Sequence, residues 1–118
     1  MKKMLIICIS LLGLNACSEQ IACTEEFRMV TVEITGDTIS DFYTLRLKTG
    51  DTLKHGDIGI ANTFIILDDS FQPTLENNSE TFRFEALKND SLVVSEDYII
   101  KADHCHINKI SGPQLVEL

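Results

Sequence analysis

The chain has 118 residues, of which 18 are acidic and 10 basic, for a formal charge of −8. So acidic a chain repels phosphate backbones and anionic headgroups, which argues against nucleic-acid binding and against adhesion to anionic lipid by charge. It leaves room for basic partners, although a solvated acidic surface accounts for the same composition.

Lys2 and Lys3 open the chain, an apolar run follows from Met4 to Leu14, and Asn15-Ala16-Cys17 ends it. This is the three-part layout of an export signal. The run is too short to span a bilayer, which takes about 20 residues. Ordinary signal peptidase prefers small residues at the last position before the cut and two before that, where Leu14 is a poor fit, whereas Leu14-Asn15-Ala16-Cys17 resembles a lipobox with cleavage before a lipidated Cys17. The alternative is a secreted chain in which Cys17 is a structural thiol. The layout therefore predicts a signal-peptide helix at 1–16, a lipidated cysteine and short tether at 17–22, and one domain at 23–118. Losing the leader removes two lysines and no acid, so 8 basic residues face 18 acidic ones and the charge becomes −10. Two or three acyl chains hold a membrane stably where one does not. The tether from Ser18 to Ala22 reaches at most ~20 Å. The remaining ~100 residues suit a single domain that gains from a covalent staple.

Along the domain, Val30, Val32 and Ile34 recur at period two between Phe27 and Thr35, which predicts a strand ended by Gly36-Asp37-Thr38. Tyr43, Leu45 and Leu47 alternate with Thr44, Arg46 and Lys48, a second strand whose wet face carries the latter set, closed by Thr49-Gly50-Asp51. The apolar run from Asn62 to Leu67 is short and β-branched, which favours a buried strand over a helix. Asp68-Asp69-Ser70 stops it; adjacent carboxylates such as Asp68-Asp69 and Glu25-Glu26 point to opposite faces if on a strand and are simply solvated if in a turn. Phe71 to Glu80, with Pro73 and Asn77-Asn78, has no period and reads as a loop. Phe82 and Phe84 then alternate with Arg83 and Glu85, Lys88-Asn89-Asp90 turns the chain, and Val94 to Ala102 puts Tyr98, Ile100 and Ala102 on one face. Gly112-Pro113 precedes a last short strand through Leu115 and Val116. About seven short strands with frequent turns predict an all-β fold, an antiparallel sandwich, such as the immunoglobulin-like type, or a barrel.

Cys8 leaves with the signal and Cys17 takes lipid, so Cys23 and Cys105 remain as an even pair in an oxidising compartment, which predicts one disulfide. Neither lies in a Cys-x-x-Cys pair, which argues against a thiol redox catalyst. Cys23-Thr24-Glu25-Glu26-Phe27-Arg28 leading into Val30-Thr31-Val32, and Tyr98-Ile99-Ile100 leading to Asp103-His104-Cys105-His106-Ile107 and Ile110-Ser111-Gly112-Pro113, resemble small lipoproteins of the Bacteroidetes. Those are similar to prealbumin-like seven-stranded sandwiches of the transthyretin or carboxypeptidase-regulatory type. The resemblance implies no catalytic residues. Glu80-Thr81-Phe82-Arg83-Phe84 lacks the Asp and Gly that the regulatory-domain pattern carries there.

His104-Cys105-His106 is the one cluster suited to chemistry. On a strand the two imidazoles share a face and can grip zinc or copper, with Asp103 or His55 as third ligand. The simpler reading is two solvated histidines beside a disulfide, because spacing fixes no third ligand. No Gly-x-Ser-x-Gly elbow, His-Glu-x-x-His helix or phosphate loop is present, and the chain reads as a non-enzyme without cofactor. Asp37-Thr38-Ile39, Asp51-Thr52-Leu53 and Asp90-Ser91-Leu92 resemble Bacteroidetes O-glycosylation acceptors at Thr38, Thr52 and Ser91, each drawn at a turn. Asp before Thr or Ser also opens ordinary turns.

The expectation is thus a lipid-anchored envelope protein, at the outer membrane with its face left open, serving as a non-catalytic interaction or scaffold module for an unidentified protein partner. An acidic inhibitor of a basic enzyme such as a lysozyme or protease is the alternative, and a metal-binding lipoprotein through His104 and His106 the third.

Overall fold

Alternation of apolar residues sets the strands and their faces. In β1 (Met29–Thr35) Val30, Val32 and Ile34 are buried, and the residues between them are exposed or half-buried. The computed structural model describes residues 22–118; the predicted leader at 1–16, the predicted lipidation site Cys17 and all but the last residue of the predicted tether at 17–22 lie outside them. After β1 come β2 (Asp41–Arg46), β3 (Asp51–Leu53) and β4 (Thr63–Asp68). A 3-10 turn (Asp69–Phe71) runs into a single helical turn, α1 (Gln72–Leu75), and then follow β5 (Ser79–Lys88), β6 (Ser91–Ala102), β7 (Ile107–Ser111) and β8 (Leu115–Glu117). Two sheets form, β4-β1-β8 and β3-β2-β5-β6-β7. Their inner faces meet over Val32, Ile34, Ile66, Phe82, Phe84, Tyr98 and Ile100, each at most 1 % exposed. The fold is a mostly antiparallel β-sandwich.

About seven strands are expected, and the described residues form eight. The extra one is β3, three residues on an edge, too short to show a period. The pairing of β1 with β8 is parallel rather than antiparallel. From β7 the chain crosses between sheets at Gly112-Pro113 and arrives beside β1 running the same way. Gly112 allows the crossing: its φ is +127°, and a Cβ there would enter the Tyr98 ring. Tyr98 is fully buried and its hydroxyl donates to the Pro113 carbonyl at 2.6 Å. Burial pushes its phenol well above the ordinary tyrosine range. The segment expected as a featureless loop, Phe71 to Glu80, instead carries α1, begun by Pro73 in its first turn and anchored by fully buried Leu75.

The second strand has the predicted period but the opposite phase. Phe42 packs on the core and Thr44 is fully buried, whereas Leu47 is exposed. The reason lies in β4. The β1–β4 register runs Val30↔Leu67 then Thr31↔Ile65, so Ile66 faces no residue of β1. This bulge buries Ile65, Ile66 and Leu67 in succession and leaves the Ile66 carbonyl needing a donor. Thr44 Oγ1 supplies it from the other sheet at 2.7 Å. Arg46, expected in water, points the same way. It forms a bidentate pair with Glu80 at 2.8 and 2.6 Å, and Phe71 covers its guanidinium at 5.2 Å. The hydrogen bonds from Arg46 hold the Glu80 carboxyl below its usual range.

Thr44→Val keeps the shape of the side chain and removes its hydroxyl. The Ile66 carbonyl then stays buried without its partner, a loss of about 1–3 kcal/mol. Urea denaturation should show that decrease, and Thr44→Ser should recover most of the bond.

Candidate functional site

The segment from Cys23 to Arg28 enters β1 on the outside of the sandwich, and three separate fastenings hold it. Cys23 is disulfide-bonded to Cys105 with Cα atoms 5.3 Å apart. Thr24 Oγ1 lies 2.8 Å from His106 Nε2. Arg28 exchanges backbone contacts with Asp69: its N–H donates to Asp69 Oδ2 at 2.9 Å and its carbonyl accepts from Asp69 N at 3.0 Å. The Arg28 side chain adds Nη1 to Asn108 Oδ1 at 2.9 Å and an exposed pair with Glu26.

Asp69 is the hub. Its Oδ2 also sits 2.6 Å from His106 Nδ1, and its Oδ1 accepts from Ile107 N at 2.8 Å. One carboxylate therefore fastens the lead-in to β1, the start of β7 and the imidazole between them. Burial acts to raise its pKa, but hydrogen bonds from Arg28 N, His106 and Ile107 N outweigh it and leave the carboxyl below the ordinary range. The expectation that Asp68-Asp69 in a turn simply meets solvent fails for Asp69, whose side chain is 9 % exposed.

The loop holding the histidines is local turn chemistry. Asp103 Oδ1 accepts from both Cys105 N and His106 N at 2.8 Å, the side-chain-to-backbone closure that Asp favours. Asp103 to His106 therefore form a bend between β6 and β7 rather than a strand, and the two histidines diverge. His104 is exposed and points Nδ1 at Glu76 Oε2, 3.0 Å away, whereas the His106 side chain is 9 % exposed and faces Asp69. The expectation of two solvated imidazoles on one face is corrected at His106. His55 joins neither. It lies 3.7 Å from Asp68, and its buried Nε2 has no hydrogen-bond partner. Among the described residues no three His, Cys, Asp or Glu side chains are grouped to hold a metal ion.

Asp69, His106 and Thr24 stand in the order carboxylate, imidazole, hydroxyl, the order used by nucleophilic hydrolases. In such enzymes the hydroxyl faces a substrate cleft. None of these three residues lines the clefts at Asn77–Asn78, at Phe42–Phe64 or at Glu26–Arg28. Structurally the relay is a strut: it fastens Thr24, the bend between β6 and β7 and the residue that follows β4 to one another. Of the tripeptides drawn at turns, Thr38 lies in the bend after β1, Ser91 opens β6 and Thr52 lies inside β3, all three exposed.

Compared with protein-family models, with curated proteins and with solved structures, the chain matches none.

His104→Ala should change stability by less than ~0.5 kcal/mol, the usual range for an exposed position. His106→Ala leaves a buried carboxylate short of a donor and should cost about 2–3 kcal/mol. Chemical denaturation of both variants at neutral pH separates them; equal effects contradict the buried strut.

Because the folded pKa of Asp69 is depressed, its contribution is fully present above the unfolded value of ~4 and is lost as pH falls through the folded value. Denaturation midpoints between about pH 5 and pH 2 should therefore fall less steeply in Asp69→Asn than in the parent. Parallel profiles refute this role.

Proposed function

We propose that this protein is a lipid-anchored module of the bacterial cell envelope, held to the outer membrane through Cys17, that binds a protein partner without catalysing a reaction. Residues 1–17 carry the leader and lipobox pattern, and the two ends of the domain resemble small Bacteroidetes lipoproteins with prealbumin-like sandwiches. The observation that supports the reading best is the fastening at Cys23–Arg28. The chain between the proposed lipid and the first strand is stapled by the disulfide, Thr24–His106 and Arg28–Asp69 within six residues. A domain that bears load through its N-terminal end gains from such fastening, since force on that segment otherwise peels β1 from its sheet.

The second reading, an inhibitor that captures a basic enzyme, draws on the charge of −10 after the leader is removed, 8 basic residues against 18 acidic. Both readings place a protein partner on the domain. A pull-down from envelope extract separates them: one basic enzyme released by salt supports the inhibitor, a fixed envelope complex the scaffold.

Cys17→Ala should abolish incorporation of labelled palmitate and move the protein out of the membrane fraction. A variant that still takes up label and sediments with membranes would show that the anchor lies elsewhere.

A further inference from the structure

At the far end of the sandwich from Cys23, a cleft of about 490 Å³ opens between the start of β2, the start of β4 and the segment that joins β3 to β4. Its position follows from the registers. Met29, at the root of β1, faces Asp68, while Glu33 near the other end faces Thr63, a cleft residue. By that register the cleft lies at least four strand residues, about 13 Å, from the root.

Its floor is aromatic. Phe42 and Phe64 meet edge to face with centroids 5.0 Å apart, and Ile39 extends the apolar lining. Ile60 stands on the rim at 60 % exposure, where it continues the apolar lining outward. Two carboxylates complete the lining, Asp41 and Asp57. Asp41 is paired with Lys54 at 2.9 Å in an exposed ion pair. Asp57 has no cation: its Oδ1 accepts from Gly59 N at 2.8 Å, and no other hydrogen bond reaches the carboxylate among the described residues. An apolar cleft with an uncompensated carboxylate at its edge is complementary to a side chain that has a greasy stem and a cationic end.

We propose that this cleft takes an arginine side chain of a basic partner protein, its aliphatic stem against Ile39, Ile60 and the Phe42–Phe64 pair and its guanidinium on Asp57. Charge complementarity selects this occupant over a second copy of the chain. The protein carries −8 overall, which steers a basic partner inward and opposes self-association. Arginine suits the site better than lysine because a guanidinium is weakly hydrated, forms two parallel bonds to a carboxylate and stacks on aromatic rings. Asp41 offers a second acceptor if the guanidinium displaces the exposed Lys54. The inference rests on the reading of this protein as a partner-binding module and adds the chemistry by which it recognises the partner.

Amide-resolved NMR of the full chain decides it with a defined probe, a Gly-Arg-Gly peptide blocked at both ends, against its citrulline analogue, which has the same shape without the charge. The arginine peptide should shift the amides of Phe42, Asp57, Gly59 and Ile60, weakly at high salt, and the citrulline peptide should not. Asp57→Asn should weaken binding about fivefold or more, as loss of one partly shielded charge pair implies. Equal shifts with citrulline, unchanged affinity in Asp57→Asn, or shifts spread over the whole acidic surface overturn the proposal. Ile60→Ser, on an exposed rim where folding is not at stake, should weaken the same titration, and no change overturns the apolar part. An envelope pull-down run in parallel keeps the two levels apart. If wild type and Asp57→Asn capture the same partner equally, the cleft assignment fails while the module stands. If the peptide binds as described and the wild type captures nothing, the cleft stands and the module reading fails.

Discussion

A single carboxylate, that of Asp69, decides how the rest of the domain is joined. It follows β4 directly and receives Arg28 N, His106 and Ile107 N, so it meets the lead-in to β1 from the three-stranded sheet and the start of β7 from the five-stranded one. Charged acceptors make stronger hydrogen bonds than neutral ones, and they do so most where water is scarce. Remove the carboxylate and two backbone N–H groups and an imidazole lose their partner together. The disulfide beside it acts on the other side of the equilibrium. Its effect is mainly to restrict the unfolded chain, by closing a loop between residues 82 positions apart, worth up to ~4 kcal/mol by loop-closure entropy. The staple limits the alternatives, and Asp69 selects the geometry among those that remain.

Two polar contacts in and beside the core, one between the sheets and one within the five-stranded sheet, stand where an apolar contact cannot serve. The bulge at Ile66 lets three consecutive residues of β4 turn inward, a gain in buried apolar surface that frees one carbonyl. Thr44 is small enough to fit between the sheets and carries the hydroxyl that carbonyl needs. Arg46 and Glu80 close one end of the core as a bidentate pair under Phe71. Desolvating two charges is costly, and the attraction between the guanidinium and the Phe71 ring 5.2 Å away offsets part of it.

Much of this was legible in the sequence, and the misses share one cause. Period two in β1, β5 and β6 correctly marked Val30, Val32, Ile34, Phe82, Phe84, Tyr98, Ile100 and Ala102 as one-sided, because those strands sit between neighbours that bury one face only. The disulfide followed from counting thiols. In β2 the period survived and the phase did not, because Leu45 and Leu47 weigh more than Thr44 on any scale of single residues, and the carbonyl that calls for Thr44 lies on a strand paired in the other sheet. Asp69 was read as the end of a strand for the same reason: its partners lie 37 to 41 positions away. The one local clue was Asp103. An Asp two and three positions before Cys105 and His106 is a turn former, and treating it so would have separated the two histidines at once. The cleft at Asp57 left no trace because its walls come from three segments whose meeting depends on the sheet order.

The placement of these features bears on how such a domain could work at a surface. In the proposed arrangement, with lipid on Cys17, force would enter the fold at Cys23 and pass at once through the disulfide to Cys105, between β6 and β7, as well as along the backbone to β1. β6 is the longest strand, paired on both sides with β5 and β7, so load shared with it meets many ladder bonds in parallel. The lead-in to β1 lacks a ladder of its own, and Thr24, Arg28 and their partners on Asp69 and His106 substitute for one. A partner seated at the opposite end would then pull against a fold fastened at its root, with the whole length of the strands between the partner and the membrane. Under that proposal rigidity at the root and recognition at the far end would impose different demands, dense polar bonding in one place and an open apolar cleft in the other. The sandwich separates them along the axis of β1.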